Sequence, residues 1–400
     1  GLLFALGLTA CGGGGGDGGS PETGSNPPSS GDPSPNLGSG GDPASFRTSE
    51  FQFNPGLGQI EAEHAYAAGL TGEGGKVAVI DGTINPDSPE LKANVAPGSK
   101  DIHGRELWDP SLDDPHGSFV SSVAAGVKNG SRSHGVAFNA DLLAIRADDP
   151  GSCSSSCTYS QDSLAEAIDY AVAQDAGVIN VALGGAGGVS QKLRDAVEAA
   201  ADADVIVAFA AGNDGAARPD FPARLAGKSG SDGRVVAVGA VDANGDVASF
   251  SNRAGQEKAH YLMAPGVDVI GAGGDGSDYI GSGTSFSLPH MAGAATLVRA
   301  AYPYLTGKEV LQILYDTATD LGSNGVDGTY GQGLVNLKAA MEPLGDKVVP
   351  RGDSVPEGGA ALSASGMAVP AAFGTALSKA PELREAAFVD EYGRAFPVDL

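Results

Sequence analysis

The sequence has few cysteines, few aromatic residues and little positive charge. Its 400 residues contain three Cys, one Trp, and 24 Lys and Arg against 49 Asp and Glu, so the net charge is −25. This balance argues against nucleic-acid binding, which requires a basic surface. The six histidines show no metal-site spacing such as H-E-x-x-H. With 41% hydrophobic residues, the chain can bury one sizeable core, and a second full domain is not required.

The most informative stretch covers residues 281–293 and reads GSGTSFSLPHMAG. Ser285 follows small, flexible residues and begins an apolar run, which predicts a loop that turns sharply into a helix. The serine would then lie at a helix N-terminus, where backbone N–H groups favour negative charge. A nucleophile that generates an oxyanion needs this setting. The alternative is a Ser or Thr helix cap after a glycine loop.

Two further segments supply the partners that a nucleophilic serine needs. Residues 77–82, VAVIDG, are typical of a buried strand and end in the carboxylate Asp81. Residues 115–120, PHGSFV, predict the start of a helix with His116 in its first turn. Serine chemistry requires a base that takes the hydroxyl proton and a carboxylate that orients this base. The order Asp, His, Ser is that of the subtilisin triad.

These segments resemble the motifs of the subtilisin-like serine proteases. The Asp motif matches VID, the His motif matches HGS and the Ser motif matches GTS. A fourth match is AAGN, which ends at Asn213. The resemblance covers roughly residues 57–341.

The resemblance implies a serine endopeptidase that needs no cofactor and acts on polypeptides. Asp81, His116 and Ser285 would form its triad, and the Asn213 amide and the Ser285 N–H would hold the oxyanion. Losing one such donor costs a serine protease about 10²–10³-fold in rate.

The resemblance also implies where a peptide substrate binds. An edge segment would pair with the extended peptide, and a pocket would hold the residue before the cleaved bond. The residues implied are Leu183, Gly184 and Gly185 for the edge and Ala210, Ala211 and Gly212 for the pocket. Because this lining is small and uncharged, we expect the pocket to accept a broad set of apolar residues. The alternative is a strand and a glycine-rich turn without a binding role.

The expected scaffold is an α/β domain with three layers. Strand candidates are residues 141–147, 177–183, 204–210 and 234–241. Helix candidates are residues 116–127, 162–174, 190–203 and 284–302. Near-continuous apolar strands between helices predict a mostly parallel sheet with helices on both faces, as in subtilisin-like domains. Ligands then bind beyond the carboxyl ends of the strands.

The N-terminal region predicts export. Residues 1–11 form an apolar run that is too short to span a bilayer. The run ends in LTAC and resembles a partial lipoprotein signal, in which Cys11 is lipidated; the alternative is a buried apolar helix. Residues 12–50 are rich in Gly, Ser and Pro, which is typical of a disordered tether. We therefore expect attachment to the bacterial cell surface or outer membrane through Cys11, or release to the extracellular space.

Two loops carry further polar candidates. Cys153 and Cys157 lie in a serine-rich loop, and their spacing permits a local disulfide in an oxidising compartment. A metal site there is disfavoured because no further Cys or nearby His completes it. Asp109, Asp113 and Asp114 form an acidic loop beside the triad histidine that is either solvated or binds a cation. Structural calcium therefore stays open, and no metal ligands are assigned.

The expected peptidase domain covers residues 51–341, and residues 342–400 form an Ala/Gly/Pro-rich tail. The end of this tail, residues 387–400, resembles the segment that precedes the later regions of bacterial autotransporter proteases. The tail is therefore expected to begin a linker to an autotransporter region. The adhesion tripeptide Arg-Gly-Asp at residues 351–353 is attributed to chance.

Two alternatives to a general endopeptidase stay open. The first is a catalytically silent adhesin built on a protease scaffold, although all four catalytic positions are filled. The second is a processing module that cleaves only itself or neighbouring surface proteins. Activity on a generic substrate separates this module from a broad protease.

Overall fold

The computed structural model describes residues 41–112, 114–153, 157–185, 187–349, 360–361 and 387–397. The helices are α1 Ser49–Phe53, α2 Pro55–Gln59, α3 Ala62–Ala67, α4 His116–Ala125, α5 Gln161–Ala173, α6 Gln191–Asp202, α7 Thr284–Ala301, α8 Gly307–Asp316 and α9 Leu337–Ala340. The strands are β1 Lys76–Asp81, β2 Lys100–Asp101, β3 Asp141–Arg146, β4 Val178–Val181, β5 Ile206–Ala210, β6 Val235–Val241, β7 Tyr261–Pro265, β8 Val269–Ala272, β9 Asp278–Gly281, β10 Val348–Val349, β11 Ala360–Ala361, β12 Ala387–Val389 and β13 Ala395–Pro397. Short 3₁₀ helices occupy Pro43–Phe46, Ala223–Leu225, Ser229–Ser231 and Gly255–His260.

Seven parallel strands form the central sheet, in the order β2-β3-β1-β4-β5-β6-β7. Its inner strands β4, β5 and β6 are completely buried and consist mainly of Val, Ile and Ala, as strands covered on both faces require. In the register, Ile80 lies opposite Val181, which lies opposite Phe209. The carboxyl ends of β1, β4 and β5 therefore lie side by side at one edge of the sheet.

Helices cover the sheet in two layers. α4 and α7 pack against each other and against β1, and α7 continues across β4 to β7. α5 and α6 pack against each other and reach β1, β3 and β5. The predicted three-layer α/β fold is confirmed, and the predicted bounds of α4 to α7 and β3 to β6 agree with the structure to within two residues.

Small residues bring α7 close to α4. A Cβ at Gly293 would lie 3.0 Å from the Ala124 carbonyl oxygen and 2.6 Å from Val136 Cβ. The contact distance between the two helices therefore depends on glycine at this position. Because His116 begins α4 and Ser285 lies in the first turn of α7, the helix contact also sets the spacing of the two predicted catalytic groups.

The predicted tether ends before residue 50, which corrects one expected boundary. A 3₁₀ turn over Pro43–Phe46 is capped by the Asp42 side chain, and α1 is capped by Thr48. Arg47 forms an ion pair with the buried Glu63 of α3. These caps and the ion pair anchor a segment whose composition alone is typical of a tether.

Part of the predicted tail belongs to the folded body. β12 and β13 pair with each other, and β12 pairs with β10. The fully buried Arg394 precedes β13, and its guanidinium contacts the Asp390 carboxylate at 2.7 Å. It also donates to the carbonyl oxygens of Ala340, at 2.6 Å, and Glu342, at 2.9 Å.

No helix within the described ranges is both long and apolar enough to cross a bilayer. The tripeptide at residues 351–353 lies outside the described part of the chain, as does Cys11.

Candidate active site

One cleft of about 770 Å³ gathers most of the predicted site residues. It lies where the loops that follow β4 and β5 meet the first turns of α4 and α7. The predicted residues in its lining are His116, Leu183, Gly184, Gly185, Ala210, Gly212, Asn213 and Ser285. The described residues in this lining include no lysine and no arginine.

Asp81 and His116 are in direct contact at one end of the cleft. Asp81 is the last residue of β1 and is fully buried, and its Oδ1 lies 2.8 Å from His116 Nδ1. The same oxygen accepts the Gly82 N–H at 2.7 Å. The His116 side chain is 31% exposed, so its outer edge can reach a substrate. This arrangement holds the imidazole with Nδ1 toward the carboxylate and leaves Nε2 for the cleft.

Glycine after His116 lets the helix begin against the loop that follows β1. A Cβ at Gly117 would lie 2.7 Å from the Thr83 carbonyl oxygen and 2.9 Å from Ile84 Cγ1. The HGS motif thus has a steric reason, because a side chain here would push His116 away from Asp81.

A second carboxylate lies next to His116. Asp114 Oδ1 accepts the His116 backbone N–H at 3.2 Å, and the Asp114 carbonyl oxygen accepts the Thr83 hydroxyl at 2.9 Å. Burial and then the charge of Asp81 raise the pKa of the Asp114 carboxyl. Burial opposes protonation of His116, but the charges of Asp81 and Asp114 outweigh it, so the pKa of His116 lies above its ordinary value.

Ser285 is the second residue of α7 and its hydroxyl faces the loop after β4. The hydroxyl donates to the Ala182 carbonyl oxygen at 2.9 Å. Within the described residues, no hydrogen bond joins this hydroxyl to His116. Phe286, the residue after Ser285, nevertheless packs near His116, with the two ring centres 5.4 Å apart. Catalytic hydrogen bonds are often long before substrate binds.

Asn213 is held by the first residue of α7. Its Oδ1 accepts both the Thr284 N–H, at 2.8 Å, and the Thr284 hydroxyl, at 3.0 Å. Because the oxygen is fixed in this way, the two N–H bonds of the amide are left for the cleft. The Thr284 hydroxyl also accepts the Gly212 N–H at 3.2 Å and so ties the pocket wall to the same helix.

Two loops form the facing walls of the cleft. Residues 183–185 follow β4 on one side, and Ala210 at the end of β5 and the loop 211–222 that follows it lie on the other. The Gly185 N–H donates to the Phe221 carbonyl oxygen at 3.0 Å and joins the two walls at one end. Ala211 was expected to line the pocket, but it is not part of the cleft lining. It is fully buried behind Gly212, where its carbonyl oxygen accepts the Asp220 N–H at 2.8 Å.

The sequence suggested an uncharged pocket lining, but the lining contains two carboxylates. Asp214 and Asp220 both line the cleft beside Gly212. Asp214 directly follows the AAGN motif, so its place beside the pocket could have been predicted from the sequence. Asp220 had no local signal, because it lies seven residues beyond Asn213 in a loop without periodicity. Thr284 was part of the recognised Ser motif, but its contact with Asn213 needs the fold.

The cysteine pair lies at the edge of the same cleft. Cys153 and Cys157 form a disulfide, with an S–S distance of 2.06 Å. Asp114 and the two cysteines are the one group of three potential metal ligands within the described ranges. Because both sulfurs are consumed in the disulfide, this group does not offer a metal the thiolates it would need. Asp109 is bound instead to Ser111, and Asp113 lies outside the described residues.

The profile of the Subtilase family matches residues 72–333, which is more than half of the chain. The chain belongs to the subtilase family. The matched range contains all three residues of the predicted triad and Asn213.

Known relatives of this subtilase are proteases. It is 36% identical over 290 residues to a thermostable alkaline protease of Halalkalibacterium halodurans, covering 72% of this chain and 73% of the relative. It is 37% identical to subtilisin BL of Lederbergia lenta, covering 71% and 97%, and 35% identical to subtilisin E of Bacillus subtilis, covering 72% and 71%. The subtilase is therefore a subtilisin-like serine endopeptidase that hydrolyses peptide bonds. This membership favours the enzyme over the silent adhesin.

Proposed function

We propose that Asp81, His116 and Ser285 act as the catalytic triad of this endopeptidase. The observation that carries the proposal is the 2.8 Å contact between Asp81 Oδ1 and His116 Nδ1 in the cleft that also holds Ser285. Asp81 then fixes the tautomer of the imidazole, leaves Nε2 free to accept a proton, and stabilises the imidazolium that forms.

The reaction is an acyl transfer in two halves. The Ser285 hydroxyl turns from the Ala182 carbonyl to His116 Nε2, gives up its proton and attacks the peptide carbonyl. The Asn213 amide and the Ser285 N–H hold the oxyanion, and the N-terminus of α7 adds its favourable dipole. His116 then protonates the leaving amine, and water repeats the sequence on the acyl-enzyme. No step in this scheme uses a cofactor.

A fluorophosphonate probe, which reacts with an activated serine, tests the triad. We expect the parent to be labelled and Ser285→Ala to be unlabelled. Ser282→Ala is the matched control, since Ser282 is an exposed serine of the same loop and should leave labelling intact. A folded parent that resists labelling would contradict the proposal.

We propose that the natural role is processing of surface or extracellular polypeptides, including the enzyme's own chain. The supporting features are the disulfide, which suits an oxidising compartment, and the lipobox-like sequence that ends at Cys11. The tail that resembles autotransporter proteases supports a place on the outer membrane. Intact-mass analysis of protein purified from native membranes tests the anchor; a free thiol at Cys11 would rule it out.

Autocatalytic processing and action on other proteins are separated by one comparison. The parent, incubated with casein and with its own Ser285→Ala variant, should cleave both if it is a general endopeptidase. Cleavage of the variant alone would identify the restricted processing module.

A further inference from the structure

Two carboxylates in the substrate cleft take part in no ion pair among the described residues. Asp214 and Asp220 line the wall beside Gly212, and the described ion pairs of Arg218 and Arg234 are with other acids. The charge of Arg224 acts on Asp220, but no described ion pair joins these two residues. The Arg224 Nε donates to the Pro219 carbonyl, and its guanidinium lies 4.8 Å from the centre of the Phe221 ring.

The Asp220 carboxylate is part of the pocket wall. A Cβ at Gly212 would lie 2.3 Å from Asp220 Oδ2, so this oxygen occupies the space that a side chain at Gly212 would fill. The Asp220 backbone is fixed, because its N–H donates to Ala211 and its carbonyl oxygen accepts the Arg224 N–H at 3.1 Å. The carboxylate itself hydrogen-bonds with the Asn252 side chain, which also lies against Gly212.

A bound peptide would bring its side chains next to these two carboxylates. Asn213, the predicted oxyanion donor, lies between Gly212 and Asp214 in the chain, and Ser285 lines the same cleft. A peptide with its carbonyl at Ser285 therefore places neighbouring side chains along this wall. Burial and the negative charge of Asp214 raise the pKa of Asp220 and outweigh the hydrogen bond with Asn252 and the charge of Arg224, which lower it, so the ionised form of Asp220 is disfavoured on balance. A cationic side chain would remove this penalty.

We propose that this subtilase cleaves after lysine or arginine, with Asp220 binding the cationic group of the residue before the cleaved bond and Asp214 adding a second carboxylate at the rim. The inference rests on the proposed function of Ser285 and names its substrate class. A carboxylate in this pocket is what directs a trypsin-type serine protease to basic residues. It replaces the expectation of an apolar preference.

Matched peptides test the preference. Two fluorogenic peptides should differ only before the cleaved bond, with arginine in one and its neutral isostere citrulline in the other. We expect the parent to show a kcat/KM for arginine about 10- to 100-fold higher, the range of a charge-assisted hydrogen bond. Equal rates for the two peptides would overturn the proposal.

Variants assign the preference to the pocket. Asp220→Asn should lose most of the arginine preference, and its fluorophosphonate labelling reports whether Ser285 is still activated. Asp214→Asn should reduce the preference less, because Asp214 is exposed. Asp202→Asn makes the same charge change at the exposed end of α6 and should leave the ratio unchanged. An unchanged ratio in Asp220→Asn would contradict the assignment.

Binding without turnover separates this inference from the proposed triad. Benzamidinium should bind the Ser285→Ala variant at least about tenfold more tightly than neutral benzamide, and adding Asp220→Asn should remove the difference. If the parent is not labelled but benzamidinium binds selectively, the triad fails and the pocket assignment stands. If the parent is labelled but shows no cationic selectivity, the pocket assignment fails alone.

Discussion

At the scale of single residues, two carboxylates act on one imidazole. Asp81 contacts His116 Nδ1 directly, and Asp114 lies beside it and accepts its backbone N–H. Both charges favour the protonated imidazole, whose pKa lies above the ordinary value of about 6.5. The proposed mechanism uses the neutral imidazole as base, so raising its pKa moves the active form to higher pH.

The pH profile follows from this shift. We expect kcat/KM to rise with pH through a midpoint above about 6.5. Asp114→Asn removes a charge that favours the imidazolium and should move the midpoint to lower pH. The control is Asp109→Asn, since Asp109 is a half-buried acid of the same loop region that binds Ser111, and this variant should leave the midpoint in place. A profile of Asp114→Asn that overlays the parent would contradict this role.

The oxyanion donor and its support should differ in their effects. Asn213→Ala removes the donor, so we expect kcat to fall about 10²–10³-fold with little change in KM. Thr284→Val removes one of the two hydrogen bonds that orient Asn213 and the hydrogen bond from the Gly212 N–H, but it keeps the Thr284 backbone N–H. The loss should be at most about 30-fold, since each neutral hydrogen bond contributes about 1 kcal/mol. Steady-state kinetics on one peptide measures kcat for both variants. Equal losses of kcat in the two variants would contradict the distinction between a donor and its supporting residue.

At the scale of elements, the contact between α4 and α7 is the tightest constraint on the site. Phe119 of α4 stacks on Phe286 of α7 with ring centres 4.4 Å apart, and Gly293 allows the backbones to approach further along. The proposed base and nucleophile lie in the first turns of these two helices. Disturbing this contact should therefore affect stability and activity together.

Gly293→Ala tests the helix contact. The new methyl group would meet Val136 Cβ at 2.6 Å and the Ala124 carbonyl at 3.0 Å, so we expect destabilisation of about 1–3 kcal/mol despite the better helix propensity of alanine. The control is Gly58→Ala in α2, where the nearest neighbour is an aromatic carbon at 3.7 Å. It should be neutral or slightly stabilising. Urea denaturation measures both, and equal stability of the two variants would contradict the packing argument.

The sequence predicted elements that carry strong periodic or apolar signals. β3 to β6 and α4 to α7 belong to this group, since each is a run of buried apolar residues or a helix with clear bounds. β7 was missed because Tyr-Leu-Met-Ala-Pro lacks the β-branched run and ends in proline. α8 was missed although Thr306 and Glu309 form a capping box that the sequence displays.

The candidate site was predictable only where motifs are contiguous. Short recognisable motifs contain each of the four residues Asp81, His116, Asn213 and Ser285. The last three of them line the same cleft. Asp220 depends on how a loop folds back beside Gly212, and no local pattern encodes this. The sequence therefore predicts the reaction but not the charge of the pocket.

At the scale of the whole molecule, the last described segment is joined to the body through a buried charge. Arg394 is fully buried and bonds to Asp390 and to two backbone carbonyls near α9. Tyr304 and Tyr392 add hydrogen bonds across the same contact. A buried ion pair contributes little net stability when complete, but breaking it leaves a charge unpaired.

Arg394→Met should therefore destabilise the protein by about 3–5 kcal/mol, because Asp390 is left buried without its partner. The double variant Arg394→Met with Asp390→Asn should be less unstable than the single variant. Lys92→Met breaks the exposed pair with Asp87 and should change stability little. Denaturant unfolding measures all three variants. A single variant as stable as the parent would show that the segment is not part of the cooperative unit.

The separation of helices from loops has a consequence for how such enzymes diversify. The groups proposed to make and break bonds are attached to α4 and α7, whereas the residues proposed to read the substrate lie on the loops after β4 and β5. Surface loops tolerate replacement better than packed helices. A lineage can therefore exchange its cleavage preference by altering one loop and keep its turnover. The same property makes the segment 214–222 a natural cassette for grafting a new preference onto an existing protease.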